Sequence, residues 1–254
     1  MIPKKIHYCW IGKAPLPEKD RKCIESWKKF CPDYEIIEWN ESNYDFSKCL
    51  YMKQAYDAKK WGFVPDYARL DIVYNEGGIY MDTDVELVRS IDGLLELEAF
   101  MGFENKSRVA LGLGFGAEAK NKIIKQMCED YKDLRFINAD GTLNITASPT
   151  YTTRVLEQNG LNKNGKNQMV GNIKIFSPEY FAPLCYSNNK LQITQNTYSI
   201  HWFNASWHDS EQKRIKKRMQ LINRIFGMRL GKVINKGFNG VYRVKKEGIK
   251  WLKK

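Results

Sequence analysis

Apolar positions along the first third of the chain alternate and cluster in a way that predicts successive strands and helices. Ile6, Tyr8 and Trp10 recur at every second position, which predicts an opening strand within residues 2–11 that ends at Gly12. Pro15 and Pro17 predict a loop, and Cys23, Ile24, Trp27 and Phe30 mark one face of a helix over 19–30 that stops at Pro32. A second strand is predicted at 34–39, then helices at about 49–60 and 65–76. The later helix opens on Pro65 and stops at Gly77-Gly78, the positions where a missing N–H and a free φ are best tolerated. A strand over 79–84 follows, and the order strand, helix, strand, helix, strand predicts an α/β sheet domain rather than a bundle.

Further along, strands are predicted at 99–103 and 109–115, a helix at 118–136, and short strands at 172–176 and 198–202. From Glu211, the apolar residues Ile215, Met219, Ile222, Phe226 and Leu230 recur every three or four positions among Lys and Arg, the pattern of a basic amphipathic helix. No internal repeat or low-complexity linker appears, so the expectation is one domain over 1–210 and a basic helical extension over 211–254.

Composition sharpens this division. The chain of 254 residues, 43% hydrophobic, is long enough for one well-packed domain with an appendage. Its formal net charge of +12 belongs to the extension, where 15 Lys/Arg face 2 Glu; the other residues sum to −1. The six cysteines form no C-x-x-C pair and have no histidine at zinc spacing, which points to reduced thiols in a cytoplasmic protein. Neither a signal peptide nor a membrane span is expected.

The candidate chemistry centres on Asp82 and Asp84, delivered by the apolar run Ile79-Tyr80-Met81. In a continuing strand both carboxylates leave one face; at a strand end both can turn toward one hard cation, Mg²⁺ or Mn²⁺. Asp66 and Arg69 share one side of the first turn of the preceding helix. They form either a surface ion pair or a site in which Arg69 grips phosphate or sugar oxygens while Asp66 accepts sugar hydroxyls. Trp10 suits either the core or base stacking, whereas His7 reads as a satisfied core histidine. Gly112-x-Gly114-x-x-Ala117 is a loose dinucleotide fingerprint with no βαβ unit ending in an acidic residue, which argues against NAD.

The run FVPDYARLDIVYNEGGIYMDTDVE, from Phe63 to Glu86, closely resembles the sugar-binding DXD region of glycosyltransferase family 32 and is similar to the catalytic domains of large glucosylating toxins. The opening IPKKIHYCWIG resembles that family's N-terminal pattern, and the likeness continues weakly to about Trp207, leaving the basic tail uncovered. The resemblance implies a GT-A-like fold, a Rossmann-like mixed sheet flanked by helices, that transfers a sugar from a nucleotide-sugar with retention. It further implies Trp10 near the base, Asp66 and Arg69 on the donor sugar, Tyr80 near the nucleotide, Asp82 on ribose and metal, and Asp84 as main metal ligand. The stretch Tyr198–Trp207 resembles the family's late His-x-x-x-x-Ser-Trp element; it offers His201 as a third metal ligand, with Asn204 and Ser206 as alternatives, and Trp207 for donor binding. A histidine ligand favours Mn²⁺ over Mg²⁺. Asn144–Pro149 looks like the family's Thr-Gly-Pro loop with Ala147-Ser148 in place of Thr-Gly.

A UDP-hexose is the favoured donor because Trp10 offers a flat surface for uracil, with GDP-mannose left open. The expected acceptor is a glycan or lipid-linked glycan in surface polysaccharide synthesis. A nucleotide-sugar hydrolase or nucleotidyltransferase would use the same carboxylates and metal. Outside enzymes, the tail could bind a polyanion, but it carries no nucleic-acid reader motif; its amphipathic period better fits a peripheral helix on an anionic, cytoplasm-facing membrane surface.

Overall fold

A computed structural model describes residues 1–204 and 210–251, with residues 210, 212 and 237–251 described as backbone only. The chain divides into two compact units. The first begins with β1 (Lys5–Cys9), α1 (Glu18–Phe30), β2 (Glu35–Trp39), α2 (Leu50–Asp57), α3 (Pro65–Glu76), β3 (Gly78–Tyr80) and β4 (Val85–Leu87). It continues through β5 (Ala99–Asn105), β6 (Arg108–Val109), β7 (Phe115–Ala117), α4 (Lys122–Asp130), α5 (Ser148–Gln158), β8 (Gln168–Val170), β9 (Ile173–Phe176) and α6 (Pro178–Phe181). The second unit holds β10 (Leu184–Cys185), β11 (Lys190–Leu191) and the C-terminal helical region α7 (Ser210–Trp251), while β12 (Ser199–His201) belongs to the first.

The main sheet runs β2-β1-β3-β7-β5-β9-β8, with β6 on β5. β1 is parallel to β2 and β3, and β5 to β9; the β3–β7, β7–β5 and β9–β8 pairs are antiparallel. This is the mixed sheet flanked by helices that the sequence predicts. Successive residues feed opposite faces. Ile6, Tyr8, Ile79 and Phe100 pack in one apolar cluster with Trp27, while Cys9, Tyr80, Ala99 and Met101 pack in the other with Leu70 and Ile72.

His7 is buried on β1, between β2 and β3. Trp39 Nε1–H donates to His7 Nδ1 (3.1 Å), which leaves the ring proton on Nε2, 2.8 Å from the carbonyl oxygen of Gly77. Burial lowers its pKa, opposed by the Gly77 carbonyl, so the ring is neutral and satisfied.

Several predicted boundaries shift for local reasons. The strand predicted over 79–84 stops at Tyr80, because Val85 N–H bonds the Asp82 carbonyl (3.1 Å) and closes a turn. The helix predicted over 118–136 spans only Lys122–Asp130, since the Asn121 side chain accepts from the N–H groups of Ile123 and Ile124 and caps it there. The strand predicted over 109–115 is interrupted by a 3₁₀ turn at Leu111–Leu113. Helix α5 was not predicted; its Tyr151, Val155 and Leu156 are diluted by Thr150, Thr152 and Thr153.

The basic extension is helical but not one straight helix. Gly227 has φ 74° and ψ 164° and breaks it. Residues eight apart in an unbroken helix would lie about 12 Å apart. A Cβ on Gly231 would instead sit 2.9 Å from Asn223 Cα, so the chain turns back on itself at Gly227. Asn223 is buried at that contact, and its Nδ2 donates to the carbonyl of Ser187 (2.8 Å) in the loop between β10 and β11. The fold-back takes Leu230 out of phase with Ile215, Met219, Ile222 and Phe226, and both Phe226, beside the bend, and Leu230, past it, are more than half exposed, at 51% and 54%.

Replacing His7 with Leu leaves the Trp39 indole N–H and the Gly77 carbonyl without partners in the sheet. The expected cost is about 2–4 kcal/mol of stability, read as a lowered urea midpoint with an unchanged slope.

Candidate active site

The turn after β3 carries both aspartates of the Asp-x-Asp triplet. Met81 N–H bonds the His7 carbonyl (3.0 Å), Asp82 N–H bonds the Gly112 carbonyl (3.2 Å), and the chain then re-enters extended structure as β4. β4 pairs antiparallel with β12 in the register Leu87 to Ser199, Glu86 to Ile200 and Val85 to His201. Trp202 N–H continues the pairing onto the Asp84 carbonyl (3.0 Å). This register sets an imidazole from late in the chain beside the aspartates.

His201 Nε2 lies 3.0 Å from Asp84 Oδ1, and the backbone N–H of Asn204 donates to Asp84 Oδ2 at 2.7 Å. Ligand atoms from Asp82, Asp84 and His201 all lie within 4.8 Å of one another. Two ligands at right angles on a small octahedral cation, each at about 2.1 Å, would be about 3.0 Å apart. His201 Nδ1 is buried with no hydrogen-bond partner among the described residues. Two carboxylates and one imidazole therefore fit a divalent cation of Mg²⁺ or Mn²⁺ type. Burial would raise the Asp84 pKa, but the charge and hydrogen bond of His201 and the Asn204 N–H hold it below the usual value. Burial likewise opposes protonation of His201, and Asp84, then Asp82 and Glu104, overcome it and raise its pKa.

Asp66 and Arg69 are 6% and 5% exposed, which removes the surface-pair alternative. Arg69 Nη2 reaches Asp66 Oδ1 (3.3 Å) and Asp82 Oδ1 (3.4 Å), and its Nε donates to the Pro65 carbonyl (2.8 Å). The guanidinium also lies 5.0 Å from the centroid of the buried Tyr80 ring, whose hydroxyl donates to Asp82 Oδ1 (3.1 Å). Burial pushes the Asp66 carboxyl up to about 6, against the opposing charge of Arg69 and a hydrogen bond from Ser148. For Arg69, Asp82, Tyr80 and Asp66 together outweigh burial and keep it charged.

Trp10 is half-buried, with its indole N–H on the Ala14 carbonyl (2.5 Å), beside a cleft of about 420 Å³ lined also by Lys13, Glu38, Asn40 and Glu41. Trp207 and Ser206 lie outside the described residues. Two contributions escaped the sequence reading. Ser148 helps to hold down the Asp66 pKa, a role that the likeness of residues 144–149 to the Thr-Gly-Pro loop does not reveal. Gly112 was read only within a dinucleotide fingerprint, yet a Cβ there would lie 2.1 Å from Asp82 Oδ2 and 3.1 Å from Arg69 Nη1. Its glycine pattern was a signal of close approach, read for the wrong ligand.

Residues 17–101 match the family described as the glycosyltransferase sugar-binding region containing DXD motif. That stretch includes Asp66, Arg69, Tyr80, Asp82 and Asp84, with Trp10 and His201 outside it. Among relatives, inositol phosphoceramide mannosyltransferase 3 of Schizosaccharomyces pombe is 35% identical over 108 residues, covering 39% of this chain and 29% of that protein. Uncharacterized glycosyltransferase L373 of Acanthamoeba polyphaga mimivirus is 25% identical over 222 residues, covering 82% of this chain and 84% of the viral protein. Among solved structures, PaToxG glycosyltransferase is 22% identical with a TM-score of 0.48, covering 62% of this chain and 69% of that one. The matches span 17% to 33% of the length of the first three curated relatives. Residues 17–101 thus resemble a glycosyltransferase sugar-binding region containing a DXD motif.

Gly112→Ala is expected to displace the Asp82 carboxylate, a movable side-chain end, while the fold survives. Calorimetry should show Mn²⁺ affinity reduced at least about tenfold with a melting temperature close to that of the unaltered protein.

Proposed function

We propose that the protein is a metal-dependent, retaining glycosyltransferase that moves a hexose from a nucleotide-sugar, a UDP-sugar in the first instance, to a glycan or lipid-linked glycan. The observation that carries this reading is the meeting of Asp82, Asp84 and His201 within 4.8 Å, beside the buried Arg69. In sugar transfer the bond from the anomeric carbon to the diphosphate oxygen breaks, a bond to an acceptor hydroxyl oxygen forms, and that hydroxyl loses its proton. A cation held by Asp82, Asp84 and His201 would supply charge stabilisation for the departing diphosphate. Arg69 adds a fixed positive charge, kept in place by Asp66 and Asp82. Asp66 accepts donor-sugar hydroxyls with its remaining lone pairs, Tyr80 holds Asp82 toward ribose and metal, and Trp10 stacks on the base beside its cleft. Trp207 would complete the donor site.

Calorimetric screening of UDP-, GDP- and dTDP-sugars with Mn²⁺ or Mg²⁺ tests this reading. Asp84→Ala is expected to abolish metal-dependent donor binding. Arg69→Lys is expected to lose most turnover, because a point ammonium cannot reproduce the planar fork of donors. Full Mn²⁺-dependent activity in either variant would refute the assignment. Products formed with and without acceptor separate transfer from hydrolysis or nucleotidyl transfer.

The basic extension supports a peripheral, cytoplasm-facing membrane location suited to a lipid-linked acceptor in surface polysaccharide synthesis, with no role in nucleic-acid binding. Among the described residues no helix is long and apolar enough to cross a membrane. Around the Gly227 bend, Ile225, Phe226, Met228 and Leu230 are all at least half exposed, and Arg224, Arg229 and Lys232 flank them. Apolar contact at the bend with basic side chains around it suits a bilayer rich in anionic lipid, each cation adding about 1 kcal/mol. The protein should bind phosphatidylglycerol vesicles, bind neutral vesicles weakly, and lose binding in high salt or in the Ile225→Asp/Phe226→Asp variant. Equal partitioning onto both vesicle types would reject the idea.

A further inference from the structure

Asp20 lies in the first turn of α1, far in sequence from the aspartates of the turn, and is 1% exposed. A buried carboxylate there is costly unless its oxygens are satisfied. Both are. Thr83, between the two aspartates, donates its hydroxyl to Asp20 Oδ2 (3.3 Å), and Asn204 donates Nδ2 to Asp20 Oδ1 (2.9 Å). Asn204 in turn gives its backbone N–H to Asp84 Oδ2 (2.7 Å). Asp20 thereby ties together the two segments that must meet to form the cluster: the Asp-x-Asp turn and the end of β12.

The rest of α1 extends the same contact. Ser26 Oγ accepts from Leu87 N–H (2.9 Å), and Trp27 Nε1–H donates to the Val85 carbonyl (2.7 Å). One helix therefore grips the chain at Thr83, Val85 and Leu87. At Asp20 the grip also reaches the late segment, through Asn204.

We propose that Asp20 is a positioning residue: through Asn204 it orients Asp84, leaving Oδ1 aimed at His201 and the cation, without itself touching donor or metal. The inference rests on the metal reading above. It requires the hydrogen-bond link and not the negative charge, which gives it a specific signature. Asn at position 20 can still accept from Asn204 with Oδ1 and donate to the Thr83 hydroxyl with Nδ2, whereas Ala can do neither.

The experiment measures Mn²⁺ affinity of the full chain by calorimetry and electron paramagnetic resonance for Asp20→Ala, Asp20→Asn, Asn204→Ala and the double Ala variant. Thermal melts in EDTA report on the fold. Asp20→Ala and Asn204→Ala are each expected to weaken Mn²⁺ binding roughly tenfold or more. The double variant should be no worse than the poorer single one, and Asp20→Asn should stay within about threefold of the unaltered protein. Unchanged affinity in both single Ala variants, additive losses, or an Asp20→Asn variant as damaged as Asp20→Ala would overturn the proposal while leaving the metal reading intact. Absence of Mn²⁺ binding by the unaltered protein would overturn both.

Discussion

A guanidinium taken out of water must be compensated on the spot, and the site is organised around that requirement. Arg69, 5% exposed, would be untenable as an isolated charge. Asp66 from its own helix, Asp82 from the turn after β3, the Pro65 carbonyl and the face of Tyr80 surround it. Each compensating group is thereby fixed in turn. The arrangement works only because no side chain at Gly112 intervenes. α3, β3 and the chain leading to β7 are consequently locked at one point, and that point borders the cluster of Asp82, Asp84 and His201.

The second constraint is the short pairing of β4 with β12. Three residue pairs place His201 opposite Val85, one position from Asp84, although the two segments are more than a hundred residues apart. A one-residue slip would turn the imidazole to the other face. The register is secured from outside the pair as well, by Trp202 N–H on the Asp84 carbonyl and by Trp27 and Ser26 of α1 on the far side of β4.

Much of the first half was legible because its signals are local. Proline and glycine bracket α3, Ile6 and Tyr8 alternate, and Trp27 falls on the apolar stripe of α1. The aspartate pair, the Asp66–Arg69 spacing and the late histidine could be read from side-chain chemistry combined with a family likeness. What was not legible depends on tertiary contact. Nothing in the spacing of Asp66 and Arg69 says that they are buried, and nothing near Asp20 says that its partners are Thr83 and Asn204. The apolar period extends a helix back to 118, whereas a side-chain cap decides where α4 starts. In the C-terminal stripe the apolar period passes through Gly227, while the helical backbone does not.

The bend at Gly227 also changes what shortening the C-terminus would do. If the helix were straight, trimming it would remove charge in steps and leave the remainder intact. Folded back, the second arm covers the first: the Gly231 backbone lies against Asn223, and Asn235 donates to the Gly231 carbonyl and reaches Asn223. Asn223 also holds the Ser187 carbonyl between β10 and β11. A chain cut at the bend would uncover a buried amide and loosen the loop it anchors, so the two arms persist or are lost together.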